Sequence, residues 1–199
     1  PEASPDRQGL KALSVRAQAS AFDLTYGHPI PKHVSQTILP RLALYQPDIP
    51  QNAGTLMRLG ACTGVGLDII EPCGFILDDK RMKRSVMDYA DHADVSRHVN
   101  WAAFQAQRRG RLILLTTRAA VPYTQVTYQP DDILLLGRES AGVPDDVHDA
   151  ADVRVLIPMR PGTRSLNVAI AAAMVLGEVL RQVDTSGAQT IISSGDGKG

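Results

Sequence analysis

The sequence predicts an α/β fold, a parallel sheet with helices on both faces, on three observations. Apolar runs of strand length alternate with segments of helical period, the pattern of strand-helix-strand units. No internal repeat or heptad array competes with that reading. The chain has 199 residues, 44% hydrophobic and 21% charged, which suits a globular domain with one sizeable core.

Residues 1–40 hold five prolines (Pro1, Pro5, Pro29, Pro31, Pro40) and no sustained apolar period, so they read as a poorly ordered N-terminal extension. A strand is expected over Leu42–Tyr45, then a helix from Asn52 to Thr63, then a strand over Leu67–Ile70. A basic helical turn follows near Lys80 to Met87, and a strand within Ala93–Val99 leads to a helix at Trp101–Arg108. Strands over Leu112–Thr116 and Ile133–Leu136, a short helix near Pro144–Ala150 and a strand over Val153–Ile157 precede a last helix from Ser165 to Val183. The segment 184–199 reads as a flexible Ser/Gly/Asp tail, which leaves 41–183 as the domain. In the last helix Leu166, Ile170, Ala173, Gly177 and Leu180 form one stripe, and Val168, Ala172, Val175 and Val179 make the other side apolar too. A helix apolar all round is buried, so a second subunit is expected on its outer face, with packing under the N-terminal extension as the alternative.

Charge and cysteine usage narrow the function. Twenty-one Lys+Arg balance 21 Asp+Glu, so no global field draws the chain to nucleic acid or anionic membrane, and any such binding needs a local patch. Sixteen of the cations are Arg, a bias that favours phosphate-bearing partners. Cys62 and Cys73 form no C-x-x-C pair and read as two buried thiols in a reducing compartment, by default the cytosol. The longest apolar run, Val168–Leu176, is far shorter than a membrane-spanning helix, and no leader-like N-terminus is visible. His28, His33, His92, His98 and His148 match no metal-ligand spacing, so no metal is expected.

Three segments place glycine, proline and polar residues just after an expected strand, where open parallel sheets bind ligands. In the first, Pro50–Arg58, Asn52 reads as an N-cap and Arg58 as a cation among apolar neighbours that either snorkels to water or acts on a ligand. The second, Leu134–Pro144, has Gly137 and Gly142 five apart with Glu139 between them; it is neither a P-loop nor a Gly-x-Ser-x-Gly elbow. In the third, Ile157–Asn167, Ser165 reads as an N-cap, which leaves Arg160 and Arg164 beside a helix start that could grip an anion or a ribose. An ordinary doubly wound methyltransferase is excluded, since Gly60, Gly64 and Gly66 follow a helix and precede a strand.

Together these segments resemble the three motifs of the SPOUT superfamily of knotted, S-adenosylmethionine-dependent RNA methyltransferases. The likeness extends through Ile69-Ile70-Glu71-Pro72, Gly74-Phe75, Asp78-Asp79-Lys80-Arg81, Asp88-Tyr89, Thr116-Thr117 and Ile157-Pro158-Met159, over residues 42–182. It is most similar to the subfamily that methylates the ribose 2'-hydroxyl of the wobble nucleotide, cytidine or modified uridine, in leucine tRNAs. The resemblance implies a homodimer with a deep C-terminal trefoil knot, an exception to the rarity of knots. It implies S-adenosylmethionine held against Leu115, Gly137, Ile157, Ser165 and Leu166, and catalytic or ordering roles for Asn52, Arg58, Glu139, Ser165 and Asn167. Lys80, Arg81 and Arg84 with Arg160 and Arg164 are the expected tRNA-binding patch. The sequence departs from familiar members at Arg138, often proline, and at Ala141, often basic. Its rivals are a 2'-O-methyltransferase of another tRNA or rRNA site, a hydrolase built on Ser140 with His148 and an aspartate, and a non-catalytic RNA-binding dimer.

Overall fold

The computed structural model describes residues 38–77 and 93–192, with side chains to residue 183. The expected basic turn at Lys80–Met87, and with it Lys80, Arg81 and Arg84, lies outside the described residues, as does nearly all of the N-terminal extension. Among the described residues the strands are β1 (Arg41–Tyr45), β2 (Gly66–Ile70), β3 (Val95–His98), β4 (Leu112–Leu115), β5 (Val121–Pro122), β6 (Ile133–Leu136) and β7 (Val153–Leu156). They form one sheet in the order β3-β2-β1-β6-β4-β7-β5, and every pairing is parallel. The helices among the described residues are α1 (Pro50–Thr63), α2 (Trp101–Gln107), α3 (Asp145–Asp149) and α4 (Val168–Ile192).

Side chains alternate across the pleat and so feed two cores, one on each face. Leu42 and Leu44 of β1 and Leu134 and Leu136 of β6 pack on one face against Ala53, Leu56 and Met57 of α1 and Ala172, Val175, Leu176 and Val179 of α4. Ala43, Tyr45, Ile133 and Leu135 turn to the other face, where Phe104 of α2 and Val147 of α3 cover them. Two-faced burial is why these strands read as unbroken apolar runs.

Several expected boundaries shift for local reasons. Helix α1 begins at Pro50 rather than Asn52, because proline presets the helical φ, and Ile49 is the N-cap; Asn52 lies inside the helix and is not a cap. Helix α4 begins at Val168 rather than Ser165. Asn167 caps it, its Oδ1 accepting from Ala169 N at 2.8 Å and Ile170 N at 3.3 Å, and the helix runs to Ile192, beyond the expected end at Val183. One side of α4 is buried, while Ile170 and Met174 are 55% and 40% exposed and Ala173 and Gly177 are open, so within one chain the helix is not buried all round. Strand β5 and the 3-10 turn at Tyr123–Gln125 carry no apolar run that would announce them. Cys62 is exposed and Cys73 half-buried, against the expectation of two buried thiols. Burial and the nearby Glu71 push the Cys73 thiol up to about 11, which keeps it a protonated, unreactive group.

Register sets the site. Leu44 pairs with Leu136, and Leu136 with Leu115, so the loops after β1, β4 and β6 leave the sheet at one level. Asp132 fixes the entry to β6. Fully buried, it accepts from Arg111 Nε at 2.9 Å and Nη2 at 2.8 Å and from Gln129 N at 2.8 Å, while its carbonyl accepts from Arg41 N. Removing one partner of such a pair strands the other, so Asp132→Ala is expected to lower the unfolding free energy by about 3 kcal/mol, read from urea denaturation.

Candidate active site

Beyond the carboxyl ends of β4, β6 and β7 lies a cavity of about 420 Å³, the place where the strand order reverses and parallel sheets bind ligands. Its walls include Leu115 and Thr116 after β4, Gly137, Glu139 and Gly142 after β6, Ile157 and Met159 after β7, and Ser165, Leu166 and Asn167 before α4. Asn52 of α1 closes the remaining side. All five residues expected to hold a cofactor, Leu115, Gly137, Ile157, Ser165 and Leu166, therefore share this one cavity, as do Asn52, Glu139 and Asn167.

A directed hydrogen-bond chain joins those last three. Glu139 Oε1 accepts from Asn52 Nδ2 at 2.9 Å, which turns the Asn52 carbonyl toward Asn167; Asn52 Oδ1 then accepts from Asn167 Nδ2 at 2.9 Å. The Asn167 carbonyl is left to cap α4. Each amide thus has its orientation set by the next, and buried Asn52 is satisfied at both ends. The second Glu139 oxygen accepts from Asp48 N at 2.8 Å.

Arg138 and Glu139 are the charged residues of the cavity wall. Arg138 reaches Asp48 Oδ1 from Nη2 at 2.9 Å and Gln46 Oε1 from Nη1 at 3.2 Å. Asp48 also accepts from Ser140 Oγ and, at 3.2 Å, from Ser140 N. The Ser140 hydroxyl and the Arg138 guanidinium hold the Asp48 carboxyl at about 2, below its ordinary 3.8. Sequence reasoning missed Asp48, whose partners lie about ninety residues along the chain.

Arg58 stands apart. It is exposed on α1 and is not part of the cavity wall of its own chain, six residues on from Asn52 and so on another side of the helix. Arg160 and Arg164 are exposed on the loop leading to α4. The hydrolase rival has no dyad: Ser140 Oγ donates to Asp48, and His148 Nδ1 lies 3.6 Å from Asp149. Among the described residues no group of three or more His, Cys, Asp or Glu side chains could hold a metal ion, and no helix is long and apolar enough to cross a membrane.

Residues 40–177 match the SpoU rRNA methylase family. The chain belongs to that family. A relative from Beijerinckia indica, named tRNA (cytidine(34)-2'-O)-methyltransferase, is 62% identical over 145 residues, spanning 71% of this chain and 91% of its own. One of the same name from Escherichia coli K12 is 42% identical over 150 residues, 74% of this chain and 96% of its own. A structure solved for insight into 2'-OH methylation of C/U34 on tRNA superposes with a TM-score of 0.70 at 36% identity, covering 75% of this chain and 99% of that one. The SpoU methyltransferase AviRb of Streptomyces viridochromogenes, solved with AdoMet, has a TM-score of 0.64 at 24% identity over 76% of this chain and 63% of its own, a likeness of fold. This member of the SpoU family is thus an enzyme, and its sheet is parallel as read from sequence.

Proposed function

We propose that this methyltransferase transfers a methyl group from S-adenosylmethionine to the ribose 2'-hydroxyl of the wobble nucleotide, cytidine or modified uridine, of leucine tRNAs, acting in the cytoplasm. The observation that carries the reading is the single cavity in which the Asn52-Glu139-Asn167 chain meets the loops of Gly137 and Ser165, in a protein whose relatives bear the cytidine(34) name.

The wall suits the cofactor. Its volume is in the range of nucleoside-sized ligand sites, apolar groups such as Val143, Val155 and Leu166 offer faces for a purine, and strand-end backbone offers polar edges. When bound, S-adenosylmethionine supplies an electrophilic methyl group on a sulfonium. The protein's own part is to hold the ribose oxygen in line and to stabilise the alkoxide as its proton leaves, work that needs no metal. Asn52, Asn167 and Ser165 would order the reacting groups; Arg58 would stabilise the alkoxide beside the ribose phosphate; Arg160 and Arg164, with Lys80, Arg81 and Arg84, would grip tRNA.

The reading includes a homodimer and a C-terminal trefoil knot. The dimer is supported by the exposed apolar stripe Ile170, Ala173, Met174 and Gly177 on α4, which packs beside α1. With α4 covered by a second copy, Arg58 on the neighbouring α1 can serve the cavity of that copy. Support for the knot comes from α4 being held between α1 and the β4–β6 connection, where Gln182 bonds to Tyr128 N at 2.9 Å and Val126 O at 3.1 Å.

Incubation with unmodified leucine tRNAs and labelled cofactor, then nuclease digestion and nucleoside mass spectrometry, tests the proposal. One 2'-O-methylated nucleoside at position 34 is expected; label elsewhere in tRNA, or in rRNA alone, overturns it. Because phosphate contacts release counterions, tRNA affinity should fall about tenfold or more between 50 and 200 mM salt.

A further inference from the structure

Three loops meet at Asp48. Its carboxylate takes Arg138 Nη2 at 2.9 Å, Arg138 Nε at 3.3 Å, Ser140 N at 3.2 Å and the Ser140 hydroxyl, all from the turn after β6. Its own amide gives the 2.8 Å bond to Glu139 Oε2. On its other side the loop after β2 presses close: a Cβ on Gly74 would lie 3.0 Å from the Asp48 Cα, and Gly74 N donates to Pro47 O at 2.9 Å. Gln46, two residues before, sits at φ 47, a left-handed conformation costly for a side-chain residue, and Arg138 Nη1 holds its Oε1.

From this geometry we infer that Asp48 is a positioning residue for methyl transfer: it clamps Arg138 and Ser140 so that the intervening Glu139 carboxylate is fixed against Asn52. The inference rests on the methyltransfer reading above and adds a residue to it. The turn after β6 enters the cavity wall bearing the adjacent charged side chains of Arg138 and Glu139. Glu139 is held against Asn52 by the Asp48 amide and by neighbours on both sides that are pinned to one carboxylate. With Glu139 misplaced, the Asn52 amide is no longer told which way to face, and Asn167 loses its partner in turn. In this role Arg138 helps set the turn through its ion pair with Asp48. Its pairing with Asp48 also directs the guanidinium to the β1–α1 loop.

The clamp is present over the whole working range. A carboxyl whose folded value is about 2, against an ordinary 3.8, stays ionised above pH 4; its contribution is complete above about pH 5 and is lost as pH falls through 3.8 toward 2. Acidification within the range of ordinary assays is therefore not the test; substitution is.

Asp48→Asn keeps the shape and removes the charge. Single-turnover methylation of unmodified leucine tRNA is expected to fall about tenfold or more, while S-adenosylmethionine affinity by calorimetry stays within about threefold. In a Glu139→Gln background the same change should alter the rate by less than about twofold, because a residue acting through Glu139 has nothing left to act on. In the free enzyme, hydrogen exchange should be faster at the Asp48 and Ser140 amides in Asp48→Asn and in Arg138→Gln alike. Multiplicative rate losses in the double variant, or unchanged exchange at those amides, overturn the inference. If the wild-type enzyme methylates no leucine tRNA, the substrate reading falls, while the exchange of the two amides still decides the clamp. Should Asp48→Asn fail to fold, Arg138→Gln carries the same rate and exchange comparisons.

Discussion

Arg58→Ala is expected to lower methyl transfer by about 10³-fold while leaving S-adenosylmethionine affinity within about threefold. The separation follows from geometry, since Arg58 is outside the cavity wall that would hold the cofactor. A guanidinium releases its proton only far above neutral pH, so the role proposed for Arg58 is that of a cation beside the forming alkoxide rather than a base. In the proposed mechanism a phosphate or water takes the proton late in the transfer. The dimer reading sharpens the expectation. If Arg58 serves the cavity of the other copy, a mixture of Arg58→Ala and Asn52→Ala chains forms heterodimers with one intact site, and about a quarter of wild-type activity returns on mixing. Recovery is read as tRNA methylation after subunit exchange. No recovery, with heterodimers present, would place Arg58 and Asn52 in the same site of one chain.

How much of this was legible in sequence depended on how local its cause was. Strands buried on both faces announce themselves as apolar runs, and Ile133–Leu136 has the bounds expected of it. The helix at Trp101 begins where expected, but two other helix starts were displaced by two or three residues because capping chemistry is ambiguous in one dimension: Pro50 outcompetes Asn52, and Asn167 outcompetes Ser165. The shift has a functional reading. Relieved of capping α1, Asn52 is free to bond Glu139 and Asn167, whereas Asn167 caps α4 with one end of its amide and orders Asn52 with the other. Asp48 was illegible because, between Pro47 and Pro50, it reads as an ordinary turn residue; its meaning comes from Arg138 and Ser140, brought near only when β1 and β6 pair. The two-residue β5 was invisible for the opposite reason, a strand too short to show a period.

Gly137→Ala is expected to reduce S-adenosylmethionine affinity by about 100-fold or more, with the fold retained, by isothermal titration and circular dichroism. A Cβ at Gly137 would stand 2.6 Å from the Gly142 carbonyl carbon and 2.8 Å from its Cα. Those are backbone atoms, so no side-chain rotation relieves the clash. They are also held in place: Arg138 N donates to Gly142 O at 2.9 Å and Gly142 N to Arg138 O at 2.8 Å, closing the turn that forms the cavity wall. The methyl group must open that turn, and opening it withdraws Glu139 from Asn52 at the same time. Gly142→Ala is the informative contrast. Its φ of 68 disfavours a side chain, but nothing lies within 4 Å of the added atom, so the cost is backbone strain of about 1–2 kcal/mol and the affinity loss about tenfold. If the two substitutions cost the same, the turn is yielding by backbone strain alone, and the close approach of Gly137 to Gly142 does not shape the cavity.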